Sequence, residues 1–290
     1  MYTDRFGVKW YKVGLHIHTT LSDGHASPEE MAKIYKAAGF DAVAITDHWK
    51  FHAEDEIGGL KIISGCEYDL GGQDTIQGVM HIVGIGMKEP PAIKKENATY
   101  QSTIDAINAA GGMAVLAHPA WSLNTKDDVK PLKGISMLEI YNTVSDVHQS
   151  SRPYSGYLVD ALANDGIAYP LTATDDAHYY DGTDEAKSYI CVKAASGSVA
   201  DILEGIRRGE FYATQGPELY LSRNGRTVSV MCSECALINF VTNSSWEADR
   251  ITREDRLTGA EYTLKDYEKW VRAEVKDKDG NYAWSSVLML

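Results

Sequence analysis

The sequence predicts an α/β fold carrying a small antiparallel β appendage at its C-terminal side. Three observations carry that expectation. Residues 11–46 read as strand, helix, strand. Apolar strands and amphipathic helices then recur as far as about Arg208. From about Glu218 the helical period stops and short strands alternate with turns.

A strand over 11–17 opens the chain. Ser27-Pro28-Glu29-Glu30 is a helix start: Ser27 can cap, Pro28 suits the first turn, and Glu30 completes a capping box. Met31, Ile34, Tyr35 and Ala38 share a helical face, and Gly39 ends the helix. Residues 41–46 form a buried strand that delivers Asp47 and His48 at its C-terminal end. This βαβ unit predicts parallel pairing. Further strands are expected over 60–65, 79–86, 113–117, 135–140, 168–173 and 189–192, with helices over 95–109, 153–164 and 199–208. The appendage reads as strands over 219–221, 227–231 and 237–242, then a hairpin over 269–290. Gly216-Pro217 sets the expected boundary between units 1–216 and 217–290.

The 290 residues are 44% hydrophobic, enough for one large domain or a large and a small one. No apolar run is long enough to span a bilayer, and residues 1–10 lack the apolar core of a signal peptide. A cytoplasmic protein is expected, with no membrane partner. Four cysteines are too few for a disulfide scaffold, and Cys232 and Cys235 form a C-x-x-C without a second pair. The net charge of -13 argues against nucleic acid held by general attraction, but not against a small anion drawn to bound cations.

Polar residues cluster where apolar strands end, which is where barrels and open α/β sheets place their sites. His16 and His18 alternate on a strand and point the same way. Two such imidazoles can bind one metal ion, or they can lie on the solvated face of an edge strand. Asp23, His48, Glu67, His81, His118, Asp176 and His178 follow at or near later strand ends. A ligand set of imidazoles and carboxylates without thiolates suits Zn, Mn or Fe, and nine ligands suffice for two or three divalent ions.

These motifs resemble the PHP (polymerase and histidinol phosphatase) metal-dependent phosphoesterases. The matching residues are His16-Ile17-His18 with Asp23, Thr46-Asp47-His48, Gly65-Cys66-Glu67, His81, Ala117-His118-Pro119 and Asp176-Ala177-His178, within roughly residues 10–215. The stretch from Ser151-Arg152-Pro153 onward, with Trp270-Val271-Arg272 and Trp284-Ser285, resembles a narrower group, the CehA/McbA-type metallohydrolases. The resemblance implies a distorted (β/α)7 TIM-like barrel with a trinuclear site. It assigns His16, His18, Glu67 and Asp176 to one ion. Glu67, His81 and His118 take a second, and Asp23, His48 and His178 a third. Glu67, Asp176 and His178 are the expected catalytic set.

The expected activity is hydrolysis of a phosphate mono- or diester by a hydroxide formed between two cations near neutral pH. The alternatives are hydrolysis of a carbamate, amide or carboxylic ester on the same ligands, and a non-catalytic PHP module. Arg152 is the candidate cation for the substrate's anionic group, against a surface ion pair, and His25 is a second substrate candidate. Asp47, Asp175 and Glu139 are expected to orient ligands from behind rather than bind metal. His52 and His148 are expected at the surface, and Trp49, Trp121, Tyr179 and Tyr180 either wall the pocket or pack.

Overall fold

The computed structural model describes residues 1–71 and 78–290. In chain order the first elements are β1 (Tyr2–Thr3), β2 (Lys9–Gly14), α1 (Pro28–Ala37), β3 (Ala42–Ala44), β4 (Asp55–Ile57), β5 (Leu60–Ile63), β6 (Gly65–Leu70) and β7 (Met80–Ile85). Next come α2 (Tyr100–Ala109), β8 (Met113–Ala117), α3 (Lys126–Val129), β9 (Ile135–Asn142), α4 (Gly156–Asn164), β10 (Leu171–Thr174), β11 (Tyr189–Lys193), α5 (Val199–Arg207) and β12 (Phe211–Thr214). The rest is β13 (Leu219–Asn224), β14 (Thr227–Thr242), β15 (Ile251–Thr263), β16 (Trp270–Lys276), β17 (Tyr282–Trp284) and β18 (Leu288–Met289).

Helix α1 begins where its capping signals say. The Ser27 side chain accepts from the Glu30 amide, and the Glu30 carboxylate accepts from the Ser27 amide at 2.9 Å. Such a cap is worth about 1 kcal/mol. Gly39 then turns the chain out of the helix with φ 78°, which a side chain would resist. Met31, Ala32 and Tyr35 bury the inner face against Val43 and Ile62.

The strands form two sheets. One has the order β10-β9-β8-β7-β6; the other runs β13-β14-β16-β17-β12-β11-β2-β3-β5-β4. A core of Val13, Ala44, Ile63, Val83, Val115, Met137, Ile190 and their neighbours lies between them. A second core packs α2 and α4 on the other face of the five-stranded sheet.

Several features differ from the sequence expectation. Among the described residues no continuous ladder closes the strands into one barrel; isolated bridges, Ile17 with Ala177 and His48 with Glu67, join the two sheets. Pairing is parallel for β2-β3, β3-β5, β8-β9 and β9-β10, but β6-β7 and β7-β8 are antiparallel. An antiparallel partner, unlike a parallel one, requires no crossover helix, although α2 does lie between β7 and β8. The helix expected over 95–109 starts only at Tyr100, after a 3-10 turn at Lys95–Asn97, because Thr99 and Ser102 form their own capping pair. Among the described residues no helix is long and apolar enough to cross a membrane.

The C-terminal strands continue the larger sheet, since β17 pairs with both β12 and β16. The short strands expected over 227–242 are one bulged strand, β14, and both ends of β15 pair along it, with register shifts between them.

Candidate metal centre

Strand ends converge to build the site. The His16 carbonyl accepts from the Asp176 amide at 2.9 Å, and the His18 amide donates to the Ala177 carbonyl at 3.0 Å. The two motifs are thereby locked side by side. Gly65 lets β6 come against the end of β3, because a Cβ there would clash with the carbonyl oxygen of Ile45. That approach permits the bridge between Glu67 and His48. His118 and Asp176 adopt positive φ, 28° and 52°, the strained backbone typical of functional sites.

All nine predicted ligands meet in one cluster. Their ligand atoms fall into three groups: His16, His18, Glu67 and Asp176; Glu67, His81 and His118; His18, Asp23, His48 and His178. Glu67 stands at the centre. Its Oε2 lies 3.1 Å from His16 Nε2, 2.9 Å from His18 Nε2 and 3.3 Å from His48 Nδ1. Its Oε1 lies 3.0 Å from His81 Nδ1 and 3.4 Å from His118 Nε2. Asp176 Oδ1 lies 3.1 Å from both His16 and His18, and Asp23 Oδ2 lies 3.5 Å from both His48 and His178. His18 belongs to two groups, one more than its motif implied.

Divalent cations fit this set. His16 Nε2, His18 Nε2, His48 Nδ1 and Asp176 Oδ1 are buried with no hydrogen bond among the described residues. Buried polar atoms left unpaired are costly, so four of them within one cluster call for a ligand. An imidazole and carboxylate donor set suits Zn, Mn or Fe.

The electrostatics are those of a site waiting for positive charge. Burial opposes the charged form of His16, but Asp176, Glu67 and Glu139 outweigh it and hold its pKa well above the usual histidine range. His18 is raised likewise against burial by Asp176, Asp23 and Glu67. Burial alone would raise Glu67, yet the surrounding imidazoles push it well below the usual carboxylate range. His48 goes the other way: its burial dominates and lowers it.

An outer ring of contacts fixes the ligands. Glu139 Oε1 lies 2.8 Å from His16 Nδ1, which leaves Nε2 for metal, and its Oε2 accepts from the His118 amide at 2.8 Å. Asp47 accepts from the Thr19 amide and from the Ser22 hydroxyl, steadying the loop that bears Asp23. Asp47 is held at about 2, burial being outweighed by His52, Ser22 and Thr19. Asp175 accepts from the Tyr35 hydroxyl and from three amides, Ala186 to Ser188, although burial pushes it up to about 7. His52, expected at the surface, is largely buried with Nε2 2.8 Å from Asp47. His148 contacts Thr183 at 2.8 Å and stacks on Tyr179, which His25 meets edge-on.

A cavity of about 190 Å³ is lined by Asp23, His48, Glu67, His81, His118, Asp176 and His178, and walled also by Trp121 and Gln149. Neither Arg152 nor His25 lines it; the Arg152 guanidinium donates to the Trp121 carbonyl at 3.2 Å. The sequence reading missed three residues. Asn142 donates to Glu139 and Asp176, and Asp184 accepts from the amides of His178, Tyr179 and Tyr180. Gln149 comes from a single π-helical turn, Ser145–Gln149, that no periodic pattern announces. The turn-rich run Asp181-Gly182-Thr183-Asp184 was a signal for the second. Cys232 and Cys235 hold their sulfurs 3.5 Å apart and join no cluster of three or more metal-binding side chains among the described residues.

A family model for the PHP domain matches residues 14–152. An uncharacterized protein of Methanocaldococcus jannaschii is 31% identical over 122 residues, which is 37% of this chain and 67% of that protein. The chain belongs to the PHP family. A solved structure from Bacteroides vulgatus, of a two-domain protein containing a predicted PHP-like metal-dependent phosphoesterase, shares its fold. The TM-score is 0.57 at 15% identity, covering 99% of this chain and 98% of the other. PHP membership together with the imidazole and carboxylate cluster describes a metal-dependent hydrolase.

Proposed function

We propose that this PHP protein hydrolyses a small phosphate ester, mono- or diester, at a site holding two or three divalent ions of Zn, Mn or Fe. The observation that carries the reading is the grouping of nine ligand atoms around Glu67, with four buried atoms left without a partner. His16, His18, Glu67 and Asp176 would hold one ion, Glu67, His81 and His118 the second, and Asp23, His48 and His178 the third. Such ions acidify water and polarise phosphoryl oxygens.

The chain's own residues do the rest. Glu67 presents one oxygen to each of two groups, and so sets their separation. Glu139 fixes the His16 tautomer, and Asn142 steadies Asp176. Trp121, packed edge-on against His118 at 4.9 Å, keeps water off one wall, and the Gln149 amide offers a neutral donor to a substrate oxygen. Glu67, Asp176 and His178 remain the proposed catalytic residues. Arg152 and His25 would contact substrate only beyond the cavity's described lining.

We read residues 1–216 as the metal-holding unit and 217–290 as its appendage. The two isolated bridges at the seams of the sheets support a distorted seven-stranded barrel. A second reading, hydrolysis of a carbamate, amide or carboxylic ester, is favoured by one observation: no lysine or arginine is in the described lining of the cavity. Assays with para-nitrophenyl phosphate, its bis-diester and a neutral carbamate, with metal content measured alongside, decide between them. Turnover of either phosphate ester is expected; turnover of the carbamate alone selects the second reading. No turnover of any by fully loaded protein counts against both.

A further inference from the structure

Outside the metal centre, the junction between β9 and the C-terminal strands forms a half-open pocket of about 250 Å³. Its lining is Tyr141, Tyr154, Tyr282, Trp284 and Glu274. Four aromatic rings and one carboxylate line it, and no basic side chain is in its lining among the described residues. Trp284 is buried and carries the other rings around it. Tyr141 lies 5.3 Å away, Tyr282 5.7 Å and Tyr154 6.3 Å, all within 28° of its plane.

The charge around this cavity does not balance. Arg272, buried behind it, pairs with Asp160 through two nitrogens, at 2.7 and 3.0 Å, and also with Glu274. One guanidinium against two carboxylates leaves a net charge of -1. Glu274 Oε1 takes both Arg272 and the Tyr154 hydroxyl, while Oε2 carries no hydrogen bond among the described residues. Two of the phenols donate to carboxylates, Tyr154 to Glu274 and Tyr141 to Asp146 at 2.9 Å. Such donation makes the ring faces richer in electrons. The face of Tyr282 already attracts an ammonium, that of Lys276, 5.0 Å from its centroid, although Lys276 does not line the cavity.

We propose that this cavity binds a small organic cation of the alkylammonium class. Electron-rich rings attract cations electrostatically, and most strongly where water is excluded. The carboxylate oxygen left open supplies the counter-charge. The site draws on both parts of the chain, Tyr141 and Tyr154 from one and Glu274, Tyr282 and Trp284 from the other. Tyr141 directly precedes Asn142, which touches Asp176, so an occupant would sit against the strand end that serves the metal centre. This site stands apart from the phosphoesterase reading and does not depend on it.

The test is a calorimetric titration of the full chain with choline and with its neutral carbon isostere, 3,3-dimethylbutan-1-ol, alongside Trp fluorescence. Saturable binding of choline is expected, with the isostere weaker by about tenfold or more. Glu274→Gln and Tyr282→Leu should each weaken choline by a similar factor. Should Glu274→Gln fail to fold because Arg272 loses its partner, Tyr282→Leu and Tyr154→Leu decide, each with its fold checked by circular dichroism. Lys276→Met should tighten choline and leave the isostere unchanged. The proposal is overturned by absence of saturation with choline, by equal binding of the isostere, or by indifference to Tyr282→Leu. Tighter binding of adenosine than of choline would also overturn it, by making the cavity a slot for a flat heteroaromatic ring.

Discussion

Two buried charged clusters in this protein differ in how far their polar atoms are paired within the chain. Around Glu67, carboxylates and imidazoles crowd together, and His16 Nε2, His18 Nε2, His48 Nδ1 and Asp176 Oδ1 are left without hydrogen bonds among the described residues. Around Arg272, 1% exposed, the guanidinium reaches Asp160, Glu274 and Tyr154. Burial works against its charge, but Glu274, Asp160 and Tyr154 hold its pKa above the usual arginine value. Every guanidinium nitrogen of the second cluster finds a partner within the protein, whereas four ligand atoms of the first find none among the described residues. Unpaired atoms, more than charge itself, mark the place where chemistry is expected.

The largest effect should come from the centre of the first cluster. Glu67→Gln removes the charge that faces two ligand groups, and should abolish activity and lower bound metal, measured by elemental analysis. The loss should exceed the roughly 10–100-fold typical of groups behind the ligands. Wild-type turnover with wild-type metal content in that variant would remove Glu67 from the centre.

Arg272→Met attacks the cluster whose donors are all paired and should strike stability instead. Removing one partner of a buried ion pair leaves the others uncompensated, at about 3–5 kcal/mol. Chemical denaturation should show that loss, while metal content of the folded fraction stays unchanged. A variant as stable as wild type would mean that water had replaced the guanidinium.

Glu139→Gln acts behind the metal ligands and is expected to lower activity about 10–100-fold. It keeps the shape but weakens the hold on His16 and on the His118 amide. Full activity would show that His16 is held without it.

Metal removal should reverse the pH dependence of stability. His16, His18 and His118 have raised pKa values in the metal-free cluster. A raised histidine stabilises fully below its unfolded value of about 6.5, and that contribution is lost as pH rises through the folded value. Chelated protein should therefore melt at lower temperature as pH climbs above about 6.5. Loaded protein needs neutral imidazoles, so its advantage over the chelated form should widen over the same range. Parallel melting curves would show that no metal binds these nitrogens.

Much of the metal centre was legible because its residues are unusual where they stand. A histidine or carboxylate at the end of an apolar strand is conspicuous, so all nine members of the cluster could be named from the chain. The α1 cap was equally plain in Ser27, Pro28 and Glu30. What stayed hidden depends on three-dimensional pairing. The antiparallel pairings of β6 with β7 and of β7 with β8 were not legible, because an apolar run does not announce its partner's direction. Strand β14 runs 16 residues through bulges near Cys235, which broke its alternation into apparent pieces. Asn142 and Gln149 are ordinary polar residues that matter only for what they meet.

Arg152 is where the two ways of reading the chain are best set against each other, and its substitution should have the smallest effect. Sequence position made it the candidate contact for a substrate anion. The structure puts its guanidinium on the Trp121 carbonyl, at the back of a residue that walls the metal cavity. Arg152→Lys keeps the charge but loses the planar fork that can grip two phosphoryl oxygens. If the fork reaches the substrate, one charge-assisted hydrogen bond is lost, and kcat/KM for a phosphate ester should fall about tenfold, the lower end of what such a bond is worth. A neutral ester, offering no charged oxygens, should then be spared. Equal losses on both substrates would show that Arg152 works by holding Trp121 in place. No loss on either would return it to the solvent, and the metal ions alone would remain to neutralise the anion.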